Sequence, residues 1–465
     1  MSDARLPFET ITTLAPRLRK KEISPVELTD AVLDRIAAVD PKVKAYITVM
    51  RDDARANAKV AESSIAAGNY LGPLHGIPVS LKDLYYTRGV KTTGGSKILA
   101  DFMPDYDAAV VERLKRAGAI IVGKTNTHEF AMNTWTPPTR NPWDLERIPG
   151  GSSGGSGAAL AAGECIASTG TDTGGSIRIP ASFCGVVGLK PTFGRVSRHG
   201  VIPLAWTADH AGPLTRSVED AAIMLRVMAG YDPRDPSTVN VPVPNYARVL
   251  NGDIKGLRVG MPTNYFFDGL DKEVEETVRK AIRELERLGA SVQDVSFPQI
   301  GSITIVHACI VLTEAATYHE KWMRTRPDDY APDVRFSLEW GKLFMGIDYV
   351  QAQRVREQIR QDFAAALSLV DVIAAPTVPI AASKVGEDPV TIGTTKELVI
   401  SATIRLSRPS NHTGLPAISV PCGFTAGGLP IGLQLIGRAF DEATVLRVAH
   451  AYEKASPWRQ KRAPI

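Results

Sequence analysis

Apolar residues recur along this chain with two periods, and the two alternate. In "SPVELTDAVLDRIAAVD", Leu28, Val32, Ile36 and Val39 share one helical face, with Ser24 placed as the cap and Pro25 in the first turn. "DAAVVERLKRAGA" followed by "IIVG" reads as helix, glycine stop and buried strand. The same unit returns in "SVEDAAIMLRVMAG" and in "DKEVEETVRKAIRELERLGA" before "SVQDVSF". Short runs apolar at successive positions, "GLRVGMP", "DVIAAP", "AISVPC" and "IGLQLIG", suit strands covered on both faces. The alternation predicts an α/β protein with a parallel or mixed sheet sandwiched by helices. The stretch from about 303 to 369 is mostly helical in pattern and interrupts the alternation. It is expected to form a cap over one sheet edge of a single domain spanning 1–465.

Composition narrows the class without naming it. The 465 residues are 44% hydrophobic and 22% charged, ordinary for a globular protein. The net charge of +4 comes from 54 basic and 50 acidic residues spread along the chain, with no dense basic run to hold a nucleic acid. The first residues lack the apolar core of a signal peptide, and no apolar stretch is expected to reach the roughly 18 residues of a spanning helix. Four scattered cysteines and eight histidines show no paired metal spacing, which points to reduced thiols, a cytoplasmic protein and no metal.

Two glycine–serine segments raise the question of chemistry: "GGSSGGSG" at 150–157 and "GTDTGGS" at 170–176. A linker would be followed by loose polar sequence, whereas the first segment runs into the small-residue stretch "AALAAGECIASTG". A phosphate loop would need a lysine after the glycines, and none is there. Gly-x-Ser-x-Gly matches at Ser152 and Ser153, but that elbow requires a preceding apolar strand and "NPWDLERIP" is none.

The second segment sits between the strand "ECIAST" and the next element, so Ser176 is the candidate nucleophile. The backbone N–H groups of Thr173, Gly174, Gly175 and Ser176 are the candidate oxyanion donors, since glycine leaves amides unshielded. A serine needs a base. His199, His210 and His412 are read as loop residues without a carboxylate at a recognisable spacing. Lys82, at the end of the apolar run in "GIPVSLKD", is the alternative, because burial lowers a lysine pKa by up to ~3–5 units.

Taken together, "GIPVSLKD", "GKTNTHEFAM", "TRNPWD", "PGGSSGGS", "TDTGGSIRIPASFCGVVGLKPTFGRVSRHG", "GPLTRSVEDAA" and "NHTGLPAISVPCGF" resemble the amidase signature family over nearly the whole chain. The resemblance implies a three-layer α/β/α sandwich around a large mixed sheet. It also implies a catalytic triad of Lys82 as base, Ser152 as bridging serine after a cis peptide bond, and Ser176 as nucleophile. No cofactor is implied. Ser153, Asp172 and Arg178 fall in the same motifs and are read as support for loop geometry.

Within that family the chain resembles the glutaminase subunit of glutamyl-tRNA amidotransferase. That subunit grips glutamine with an arginine, for which "FSLEWGKLFMG" offers no counterpart, and an aspartate, whose position falls here at Ile404. The main expectation is therefore a stand-alone hydrolase of aryl or apolar acyl amides, with esters and carbamates as side substrates. The alternative is the glutaminase subunit of a larger complex. Met132, Trp206, Trp340 and Phe344 are the candidate pocket. The expected partner is a small-molecule amide, with no nucleic acid or membrane, in a monomer or homodimer.

Overall fold

Among the described residues there are thirteen strands: β1 (Tyr46–Val49), β2 (Pro78–Lys82), β3 (Ile120–Thr125), β4 (Ala167–Asp172), β5 (Val187–Lys190), β6 (His210–Thr215), β7 (Arg258–Pro262), β8 (Ser291–Val295), β9 (Val372–Pro376), β10 (Val390–Ile392), β11 (Thr395–Glu397), β12 (Ala417–Phe424) and β13 (Pro430–Gly437). The structure, a computed structural model, describes residues 5–458 and 461–465. Eleven strands form one sheet in the order β1-β3-β2-β4-β6-β5-β12-β13-β9-β7-β8, and β10 and β11 pair separately. The sheet is mixed: β2 runs parallel to β3 and β4, and β7 to β8 and β9, while the centre is antiparallel. Every residue of β2, β3, β4, β9 and β13 is buried, which is why those segments read as continuous apolar or small-residue runs.

Helices cover the sheet on both faces, and their packing decides where the glycine–serine segments fall. Helix Pro25–Val43 begins at Ser24, whose hydroxyl accepts from the N–H groups of Val26 and Glu27. Helix Gly154–Ala161, "GGSGAALA", is buried along nearly its whole length. A Cβ on Gly155 would lie 2.5 Å from the Asn126 carbonyl and 2.6 Å from that of Ala45. Only a residue without a side chain lets the helix approach so closely, and at its start Ser153 Oγ donates to the Thr171 carbonyl of β4.

Helices Ile303–Thr325, Pro332–Gly341 and Gly346–Leu369 fill the region that interrupts the alternation. Val311, Ala315, Met323 and Leu338 pack there with Phe130, Met132, Ile202 and Leu204. Ile303, Ile359, Phe363 and Leu367 pack with Ile373, Ala375 and Ile436 of the sheet. Residues 300–325 correct one expectation, because their mean hydropathy of 1.6 over a membrane-length helix meets the composition of a span. Half of that window is buried against the rest of the protein, so its apolar face is used in packing.

The close approach at Gly155 is testable. Gly155→Ala is expected to cost about 1–3 kcal/mol in urea unfolding through overpacking. Gly301→Ala, where a Cβ would meet nothing within 4 Å, is expected to stay within about 0.5 kcal/mol of the parent.

Candidate active site

Lys82 closes β2 and is wholly buried. Its Nζ donates to Ser152 Oγ at 2.7 Å and to Thr171 Oγ1 at 2.8 Å. Both partners are hydroxyls. The neighbouring carboxylate, Asp83, is turned to Lys124 at 3.0 Å in a fully buried pair. Burial therefore dominates the amine and lowers its pKa from 10.5 to about 7, against the opposing charges of Asp172 and Asp209.

Ser152 and Ser176 come from two loops that are tied together. The Gly151–Ser152 peptide bond is cis. The Ser152 carbonyl accepts from the His128 N–H at 3.2 Å and from Thr136 Oγ1 at 3.1 Å. Ser153 donates its N–H to the Ser176 carbonyl at 3.2 Å and its hydroxyl to the Thr171 carbonyl at 3.2 Å. Parallel pairing of β2 with β4 brings Lys82 and the turn after Asp172 to the same end of the sheet, where ligands of α/β folds gather.

Asp172 organises that turn. Its Oδ1 accepts from Gly175 N–H at 2.8 Å, and its Oδ2 accepts from Ile177 N–H at 3.1 Å. Arg178 pairs with it at 2.8 Å, both side chains fully buried. Burial pushes the Asp172 carboxyl upward, but Arg178, Lys190 and Asn411 outweigh it and hold the group well below the usual carboxylate range. Arg178 spans to Ser410 Oγ at 2.7 Å and Asn411 Oδ1 at 2.8 Å, tying the turn to the segment before β12. Ser407 Oγ donates to the Gly174 carbonyl at 2.6 Å. A Cβ on Gly175, at φ 132°, would sit 2.1 Å from that same Oγ. Glycine is required there on both counts.

One expectation changes as a result. Gly175 N–H faces Asp172 and is engaged within the protein, so it does not stand with the Thr173, Gly174 and Ser176 amides as an open donor. The reason is geometric: the carboxylate that shapes the turn also caps it. Thr173 has its hydroxyl on Asp209 Oδ1 at 2.5 Å.

The four pocket candidates do not converge. Trp206 is 48% exposed and lines a cleft of about 510 Å³ together with Thr171, Thr173, Asp209 and Arg198. Neither Lys82 nor Ser176 is among the described residues that line it. Met132 is 9% exposed and packs in the apolar cluster beneath the cap. Trp340 is 44% exposed and stacks at 6.1 Å on Phe344, which packs half-buried against Val306, Cys309, Ile310 and Ala352. Aromatic residues at helical spacing are as readily surface or core as pocket, and spacing alone does not distinguish them. His210 opens β6 and His412 lies in the short helix Arg408–Thr413, so neither is a loop residue as expected. Sequence reasoning does not single out Thr171, Ser407 or His307. Thr171 stands within "GTDTGGS", but the other two come from distant segments that only folding brings to the turn.

Fold and site together define an α/β enzyme acting on C–N amide bonds. A family model described as Amidase matches residues 27–446. The chain is 46% identical over 485 residues to a glutamyl-tRNA(Gln) amidotransferase subunit of Geobacter metallireducens, covering 98% of this chain and 99% of the relative. It superposes with TM-score 0.93 and 35% identity, over 96% and 99% of the two chains, on a protein from a vestigial complex tied to the origins of an s-triazine catabolic enzyme. A bacterial aryl acylamidase of the amidase signature family matches with TM-score 0.90 and 27% identity over 97% of each chain. The chain belongs to the amidase signature family.

Breaking the buried pair tests the support of the turn. Arg178→Met is expected to cost about 3–5 kcal/mol in urea unfolding by stranding the Asp172 charge. The double variant Asp172→Asn/Arg178→Met should recover part of that loss.

Proposed function

We propose that this protein hydrolyses a carboxylic amide through an acyl-enzyme on Ser176. The observation that carries the reading is a wholly buried Lys82 amine, lowered to about 7, donating to Ser152 Oγ at 2.7 Å. Neutral Lys82 takes the proton of Ser152 while Ser152 takes that of Ser176, and Ser176 Oγ bonds to the amide carbon. The amides of Thr173, Gly174 and Ser176 face the oxyanion, a kind of donor whose loss typically costs ~10²–10³ in turnover. The protons return along the same path to the leaving nitrogen, and water then cleaves the ester.

Two substrate readings remain, each with its own support. The names of the curated relatives favour the glutaminase subunit over the aryl amidase, with 44–46% identity over 97–98% of this chain in eight of them. In that reading the amide is glutamine and other subunits take the ammonia. The second reading, a stand-alone hydrolase of aryl or apolar acyl amides with ester and carbamate cleavage beside it, rests on Ile404. Its Cγ2 lies 3.8 Å from where a Cβ on Gly174 would be, so an apolar side chain stands at the position where the resemblance to the glutaminase implies an aspartate.

The purified chain, assayed alone against glutamine, p-nitroacetanilide, p-nitrophenyl acetate and an aryl carbamate, separates the two. Turnover of the anilide without glutamine favours the second reading, and glutamine alone favours the first. Ser176→Ala is expected to lose ~10⁴-fold or more in kcat on any substrate found. Because the base works only when uncharged, kcat/KM should rise about tenfold per unit below pH 7 and level off above it. A flat profile from pH 5 to 9 argues against Lys82 as base.

A further inference from the structure

His307, one turn into helix Ile303–Thr325, reaches the catalytic turn from the cap. Its ring edge comes within 2.9 Å (Cε1) and 3.4 Å (Nε2) of the position a Cβ on Gly174 would occupy. The opposite ring nitrogen, Nδ1, lies 2.9 Å from His412 Nε2, the rings crossing at 85°. Two imidazoles in this contact share one proton between them.

The surroundings decide which ring supplies it. His412 is fully buried and its Nδ1 has no hydrogen-bond partner among the described residues. Burial, then the neighbouring His307 and the cations Arg356, Arg408 and Arg360, hold His412 neutral, well below its ordinary range. Burial and Arg408 likewise lower His307 to about 3. Beside three guanidinium groups, an unpartnered Nδ1 is better a lone pair than an N–H. His412 then donates from Nε2 to His307 Nδ1, which leaves an N–H on His307 Nε2 at the edge that meets Gly174.

We propose that His307 is a specificity-determining residue whose Nε2–H, set against Gly174, donates to an oxygen on the acyl group of the substrate. The site then selects small amides whose acyl chain carries a second carbonyl or a carboxylate beyond the scissile bond. Ile404, whose Cγ2 lies 3.8 Å from the same Cβ position, would pack on the hydrocarbon between the two. The inference rests on the reading of Ser176 as the acylated serine. A glycine at 174 is part of the device, since any side chain there would displace the ring.

The test labels Ser176 with three alkyl fluorophosphonates of equal length ending in a carboxylate, a methyl ester or a methyl group. In each, Ser176 Oγ bonds to phosphorus, fluoride leaves and the serine proton passes to Ser152. The parent should react roughly 10- to 100-fold faster with an oxygen-bearing reagent than with the hydrocarbon one. His307→Phe should bring that ratio close to one whatever its absolute rates, and His307→Gln, which keeps a donor, should restore part of it. A ratio near one in the parent, or one unchanged in His307→Phe, overturns the inference while leaving Ser176 as nucleophile. Absence of labelling at Ser176 by all three reagents overturns the underlying reading, and the inference with it.

Discussion

The chemistry of this protein depends on a lysine that has been given hydroxyls where a carboxylate would ordinarily stand. Removing an ammonium from water costs several kcal/mol, and a buried lysine commonly recovers that cost through an ion pair. Lys124, one strand away, does so with Asp83 at 3.0 Å. Lys82 has Ser152 and Thr171 instead, and Asp83, its neighbour in sequence, turns to the other amine. A site that denies the charge a partner favours the free amine, which is the form able to take a proton. Of these two buried lysines, Lys124 has a carboxylate partner and Lys82 has hydroxyls, which is the arrangement the proposed base requires.

Asp172 keeps its own charge close by without cancelling that effect. It lies at the end of β4 beside the lysine pocket, yet its oxygens are spent on Arg178, Asn411 and two amides of the turn. The turn is thus pinned from inside by a carboxylate and from outside by Ser407. Such anchoring holds the backbone of the turn in one shape in the absence of ligand, which is what electrostatic preorganisation requires. The cap contributes at the same place: its first helix brings His307 to Gly174, and the cluster containing Ile303 fastens that helix to the sheet.

Much of this was legible in the residues. The continuous apolar runs around β9, β12 and β13 mark strands covered on both faces, and the small-residue stretch "AALAAGECIASTG" marks tight packing rather than a linker. Lys82 drew notice because it ended such a run. What stayed hidden depends on contacts between distant segments. Nothing local in Gly175 tells that its N–H serves Asp172, since a glycine-rich turn can aim its amides in or out. Trp340 and Phe344 have the spacing of a pocket wall, but Trp340 is exposed and Phe344 packs half-buried on Val306, Cys309, Ile310 and Ala352. His307 and His412 stand 105 residues apart, and their pairing is a property of the folded cap alone.

The proton path from Ser176 needs a Lys82 amine that is free in a large fraction at neutral pH, and its own titration measures that directly. With lysine labelled at Cε with carbon-13 and the signal assigned by its loss in Lys82→Met, the chemical shift followed from pH 5 to 11 gives the pKa of this one amine. The account requires a midpoint near 7, well separated from the surface lysines. A midpoint close to 10.5 would mean that Lys82 is a charged structural residue, and the proton path from Ser176 would have no end.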